Sequence, residues 1–125
     1  MERSRIVVPV FEFVGEESVV CDHFGRAPAF AVVDVSEDGK ILSIKEERNV
    51  SEHFGGMGKA SELVARLSPD VLVVKGIGSR AISMFESMGV RVASCDALTL
   101  KDVIKAYLER RLFGASACRD AHHSF

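Results

Sequence analysis

The sequence predicts an α/β protein with a mixed sheet, its elements ordered β-β-β-α-β-α-β-α. Three observations carry this reading. Two strand-like apolar runs flank Ser36-Glu37-Asp38-Gly39, whose Asp-Gly pair is a hairpin signal. After Gly58 the apolar period changes from two to about 3.6 residues. Val71-Leu72-Val73-Val74 is then apolar throughout, as strands buried on both faces of a parallel sheet are. A hairpin followed by right-handed βαβ crossovers gives a mixed sheet with helices packed on it.

Each element follows from local chemistry. Ile6–Val10 reads as a short buried strand with Pro9 near its end or at a bulge. Phe11–Asp22 alternates weakly, contains Gly15 and acidic residues, and reads as loop. Ala29–Val35 and Lys40–Arg48 are the two arms of the hairpin, and Asn49–Gly58 is a glycine-rich loop. Ala60, Leu63, Val64 and Leu67 share one helical face, and Ser68-Pro69-Asp70 ends that helix. Gly76-Ile77-Gly78-Ser79 turns the chain into a second helix carrying Ala81, Ile82, Phe85 and Met88, with Gly89 at its C′ position. Val90–Ala93 is the fifth strand. Thr99-Leu100-Lys101-Asp102 resembles a capping box and opens a third helix through Val103, Ile104, Tyr107 and Leu108. Residues 1–112 form one domain in this reading, and 113–125, rich in small residues, form a flexible tail.

Composition narrows the function. A chain of 125 residues with 47% hydrophobic and 27% charged residues suits one globular domain. Its net charge of -2 argues against broad binding to nucleic acid, which needs a basic face. No apolar run reaches the length of a membrane span, and the amino-terminal segment lacks a convincing cleavage site. Three cysteines do not make a disulfide framework, so the expected setting is the cytoplasm with reduced thiols.

Histidine and cysteine are scarce, four and three residues, yet clustered. His-Phe-Gly occurs at His23-Phe24-Gly25 and again at His53-Phe54-Gly55, Cys21 precedes the first copy, and Cys118 with His122 and His123 closes the chain. Imidazole and thiolate bind iron, copper, zinc and metal–sulfur clusters well, and Met57 adds a soft thioether. Cys21 and His23, two residues apart, share a side if the chain there is extended. The competing reading has His23 ordering a turn while Cys21 packs as a small hydrophobe. Glycines Gly55, Gly56 and Gly58 ahead of a helix leave backbone N–H groups for an anionic ligand, although a solvated loop fits equally. The tail cluster is weighed against plain terminal disorder, and Cys95 is read as structural.

The stretch Cys21-Asp22-His23-Phe24-Gly25-Arg26-Ala27 resembles the Ser-x-His-Phe-Gly-Arg-Ala signature of the dinitrogenase iron–molybdenum cofactor biosynthesis family. Gly56-Met57-Gly58, Gly76-Ile77-Gly78-Ser79-Arg80-Ala81 and Gly89-Val90 agree in order and spacing, so the resemblance runs from about Ile6 to Leu112. It implies a ribonuclease H-like three-layer fold, a five-stranded mixed sheet flanked by helices. It also implies a protein that holds or carries an iron–sulfur or iron/molybdenum–sulfur cluster rather than catalysing a reaction, with cluster-assembly or acceptor proteins as partners. Cys21 stands where the family usually has Ser, which leaves open a thiolate ligand that the common pattern lacks.

On that basis the expected cofactor-binding residues are Cys21, His23, Phe24, Gly25 and Arg26, with His53, Gly55, Gly56 and Met57 as a second wall. Metal ligation is expected first of His23, then of Cys21, His53 and the tail residues Cys118, His122 and His123. Arg26 is read as offsetting cluster charge or as one half of a salt bridge. Two other classes compete. Gly76–Ala81 fits G-x-G-x-x-A, with Asp96 twenty residues beyond Gly76, which allows a nucleotide-binding enzyme or sensor. A cofactor-free interaction module is the other. Ribonuclease chemistry needs clustered carboxylates, and Asp34 is the sole acid in the run Ala29–Val35.

Overall fold

The computed structural model describes residues 3–49 and 57–114. Strands β1 (Arg3–Val10), β2 (Ala29–Ser36) and β3 (Ile41–Arg48) are followed by α1 (Met57–Arg66), β4 (Val71–Val74), α2 (Ser79–Ser87), β5 (Arg91–Ser94), α3 (Leu100–Leu108) and β6 (Phe113–Gly114). The sheet order is β3-β2-β1-β4-β5-β6. β1 pairs antiparallel with β2 and β2 with β3, whereas β1–β4 and β4–β5 are parallel. The five strands expected from the sequence all stand in this mixed sheet.

Alternation along the strands makes three layers. Val7, Phe30, Val32, Leu72, Val74 and Val92 pack with α1 and α2 on one face. Ile6, Val8, Val33, Val71, Val73 and Ala93 pack with Leu100, Val103 and Ile104 of α3 on the other. Every residue of β2 is therefore buried, while edge strand β3 turns exposed charges outward, a pattern that discourages pairing with another chain. Among the described residues, no helix is long and apolar enough to cross a membrane.

The larger differences from the sequence expectation each have a tertiary reason. β1 begins at Arg3 rather than Ile6, because its charged start is paired. Arg5 donates from Nε to Asp34 Oδ1 at 2.9 Å and from Nη2 to Oδ2 at 3.1 Å, and its Nη1 meets the Leu67 carbonyl at 2.8 Å. The segment 11–20, expected as loop, doubles back on β1: Phe11 N–H donates to the Val19 carbonyl at 3.0 Å, and Val10 bridges Val20. β6 pairs Phe113 with Ser94 and Gly114 with Ala93, so the sheet reaches two residues into the segment read as tail.

Other local expectations hold. Gly39 turns the hairpin at φ 92 and Gly89 ends α2 at φ 84, values that favour glycine. Thr99 caps α3, its hydroxyl oxygen accepting the Asp102 N–H at 3.5 Å while the hydroxyl donates to Asp102 Oδ2 at 3.1 Å. α1 starts at Met57, slightly earlier than the period suggested, and buries Ala60, Leu63 and Val64 as expected.

Candidate functional site at the carboxyl end of the sheet

Because β1, β4 and β5 run parallel, their carboxyl ends lie along one edge of the domain. The antiparallel register brings Ala29 and Arg48 to the same edge, beside Val10. Loops 21–28, 75–78 and 95–99 gather there, as do the starts of α2 and α3. Crevices at this end of an α/β sheet are the usual ligand sites.

The first His-Phe-Gly forms a 3-10 turn over Phe24–Arg26, with His23 as its extended N-cap. Phe24 anchors it. The ring is 1% exposed, and its centroid lies 5.7 Å from those of both Phe30 and Phe85. The Phe24 N–H donates to the Gly76 carbonyl at 3.0 Å, which stitches this turn to the β4–α2 loop. Two motifs separated by fifty residues of sequence thus become one surface.

Asn49, buried at the end of β3, holds the turn from the other side. Its Nδ2 donates to the Ala27 carbonyl at 2.8 Å and its backbone N–H to the Pro28 carbonyl at 2.9 Å. In the sequence Asn49 reads only as the start of a loop. Its signal was a polar residue closing a strand, too common to interpret without the partner.

The structure separates Cys21 from His23. The Pro9 carbonyl accepts the Cys21 N–H at 2.8 Å, and the thiol, 3% exposed, lies in the core with Val7, Phe24 and Ala27. It donates weakly to the His23 carbonyl at 3.5 Å. The expectation that both side chains share one open side is therefore corrected: Cys21 faces the core, whereas His23, Gly25 and Arg26 are exposed.

A Cβ added at Gly25 would meet nothing within 4 Å, and its φ is not positive, so neither packing nor backbone requires glycine there. Met57 begins α1, whereas His53, Gly55, Gly56, Cys118, His122 and His123 lie outside the described residues. Among the described residues, no three His, Cys, Asp or Glu side chains are grouped to hold a metal ion. Cys95 is partly buried against the second core, in keeping with a structural role.

The helix starts at this edge are unequal. At α3, the N–H groups of Leu100 and Lys101 reach the carbonyls of Ser18 and Glu16 at 2.7 and 2.9 Å, and Thr99 supplies a side-chain cap. At α2, Gly78 supplies no side-chain cap, and Arg80 and Lys75 are exposed nearby. Negative charge is favoured at such an end. The G-x-G-x-x-A stretch does follow a strand and open a helix, but Ile77 is buried and the Gly76 carbonyl is engaged by Phe24.

A family model described as dinitrogenase iron–molybdenum cofactor matches residues 5–110. The chain belongs to that family. An uncharacterized protein of Methanocaldococcus jannaschii is 30% identical over 110 residues, covering 86% of this chain and 88% of that protein. A Thermotoga protein proposed to be a NifB protein shares 25% identity at a TM-score of 0.67, covering 89% of this chain and 92% of its own. The apo form of the orange protein from Desulfovibrio gigas has a TM-score of 0.75 over 91% of this chain and 94% of its own; at 22% identity the likeness is one of fold.

Proposed function

We propose that this chain binds or carries a metal–sulfur cluster, as a non-catalytic member of the dinitrogenase iron–molybdenum cofactor family. His23 is the protein ligand, Gly25 leaves room for the cargo, and Arg26 faces its negative charge. The observation that carries this reading is the turn at 23–26, which exposes His23, Gly25 and Arg26 and is pinned by buried Phe24 to Gly76, ahead of an α2 start without a side-chain cap. A sulfide-rich cluster is anionic and brings most of its own ligands, so one imidazole with the exposed cations Arg26, Lys75 and Arg80 on the same edge suits it. Iron–sulfur and iron/molybdenum–sulfur cargo fit alike, and cluster-assembly or acceptor proteins are the corresponding partners.

Anaerobic reconstitution with iron and sulfide, with and without molybdate, tests this. Visible absorption and metal analysis of the desalted protein should show cluster in wild type and a loss of most of it in His23→Ala. Equal loading of the two proteins would overturn the assignment of His23.

A further inference from the structure

A cleft of about 640 Å³ lies between the 95–98 loop and the C-terminal end of α3. Its size is that of a small-molecule site. Arg110 borders it in the left-handed backbone region, at φ 60. In the equivalent position after α2 stands Gly89, at φ 84. The α3 cap needs only backbone there: Arg110 N–H reaches the Tyr107 carbonyl at 3.1 Å and Arg111 N–H the Ala106 carbonyl at 2.8 Å. Glycine would make both bonds without the steric strain of a side chain. What arginine adds is an exposed cationic side chain bordering the cleft.

Lys105 and Arg111 line the same cleft, and among the described residues neither Lys105 nor Arg110 makes an ion pair. Arg111 uses Nε for Glu109 at 2.7 Å, which leaves its terminal nitrogens open. Two carboxylates also line the cleft, Asp96 and Asp102, and Asp102 is engaged by Thr99. Ala97, Leu98, Ala106 and Leu112 supply the apolar part of the wall. Ser68 takes the same left-handed backbone after α1, at φ 54, so what sets Arg110 apart is its place on the cleft beside two other cations.

We infer that this cleft binds a small organic phosphate, its phosphate held by Arg110, Arg111 and Lys105 and its organic part resting on Leu98 and Leu112. The cleft shares no lining residue with the His23 turn, although its 95–98 wall stands on the same edge of the sheet, and it does not depend on the cluster reading. The probes are ADP, inorganic pyrophosphate and inorganic phosphate, each compared with potassium chloride at matched ionic strength. Thermal unfolding of the full chain and calorimetric titration are the readouts.

Wild type should gain several degrees in Tm with about 5 mM ADP, and less with pyrophosphate or phosphate. Arg110→Gly should melt higher than wild type without ligand, since the strain is relieved, yet lose the ADP shift. Lys105→Gln should bind ADP about tenfold more weakly, and His23→Ala should respond as wild type does. No ADP response beyond the salt control, or an undiminished response in Arg110→Gly, would overturn the site. An equal response to pyrophosphate or phosphate would overturn the organic part of the ligand.

Discussion

The His-Phe-Gly motif divides into a buried anchor and an exposed imidazole, and the proposed division of labour between them can be measured. Phe24 is 1% exposed against two aromatic rings at 5.7 Å, whereas His23 is exposed and makes no side-chain cap bond to the turn it precedes. Truncating a buried phenylalanine costs about 3–5 kcal/mol, the transfer of the ring plus the cavity left behind. That is a large part of the roughly 5–15 kcal/mol that holds a domain together. Phe24→Ala should therefore lower the urea midpoint severely. Phe24→Leu, which refills part of the cavity, should cost about 1–2 kcal/mol and give a measurable transition. His23→Ala should stay within about 0.5 kcal/mol of wild type, as surface substitutions do, while cluster loading falls. The assay is urea unfolding followed by circular dichroism, paired with anaerobic reconstitution of the same variants. A cost above about 1.5 kcal/mol for His23→Ala would make His23 structural, and full loading of a destabilised but folded Phe24→Leu protein beside an empty His23→Ala protein is the pattern expected. If His23→Ala and Phe24→Leu lost cluster equally, the division would be refuted.

Three further outcomes follow from the same geometry. The Arg5 guanidinium, by its hydrogen bond, holds the Asp34 carboxyl below its ordinary value against the opposing effect of burial. The stability this pair supplies is present above the ordinary carboxylate range and is lost as pH falls through the lowered value. Asp34→Asn should cost about 2–4 kcal/mol at pH 7 in urea unfolding, with the gap to wild type narrowing in acid; a constant gap would remove the ion pair as its cause. Gly25→Ala should leave stability unchanged or raise it by up to about 1 kcal/mol while reducing cluster loading, and full loading would show that the space at Gly25 is not used. Cys21→Ser should keep its loading and lose about 1–3 kcal/mol of stability, since a hydroxyl enters an apolar core with only the His23 carbonyl to bond. Loss of cluster without loss of stability would instead make the thiol a ligand.

What the sequence made legible was whatever depends on neighbours along the chain. The hairpin at Gly39, the buried run of β4, the apolar faces of all three helices and the C′ glycine at Gly89 each leave a local signal. The start of β1 left none, because Arg5 is polar and its partners, Asp34, Leu67 and Asp70, all lie far along the chain. The burial of Cys21 was hidden likewise. A Cys-x-His spacing suggests two donors on one side, but the Pro9 carbonyl takes the Cys21 N–H and sets that residue into the core. Arg110 belongs with these. Its residue type gives no hint of a left-handed backbone, and the cleft it borders is assembled from both ends of the β5–α3 segment.

The candidate site is long-range in the same sense, and this bears on how it could hold a cargo. Its turn is fixed at three points: Phe24 in the core, the Gly76 carbonyl from the β4–α2 loop, and Asn49 from the end of β3. None of these anchors uses the imidazole of His23 or the guanidinium of Arg26. A support that keeps its backbone still and leaves its exposed side chains uncommitted can meet a preformed object without first reorganising. A bare zinc ion needs three or four protein donors arranged around it, whereas a cluster already surrounded by sulfide needs a flat, electropositive contact and a donor or two. Under the proposed function, the edge holding His23, Arg26 and the start of α2 serves as a contact of the second kind, held in place by Phe24, Gly76 and Asn49, none of which is itself a proposed ligand.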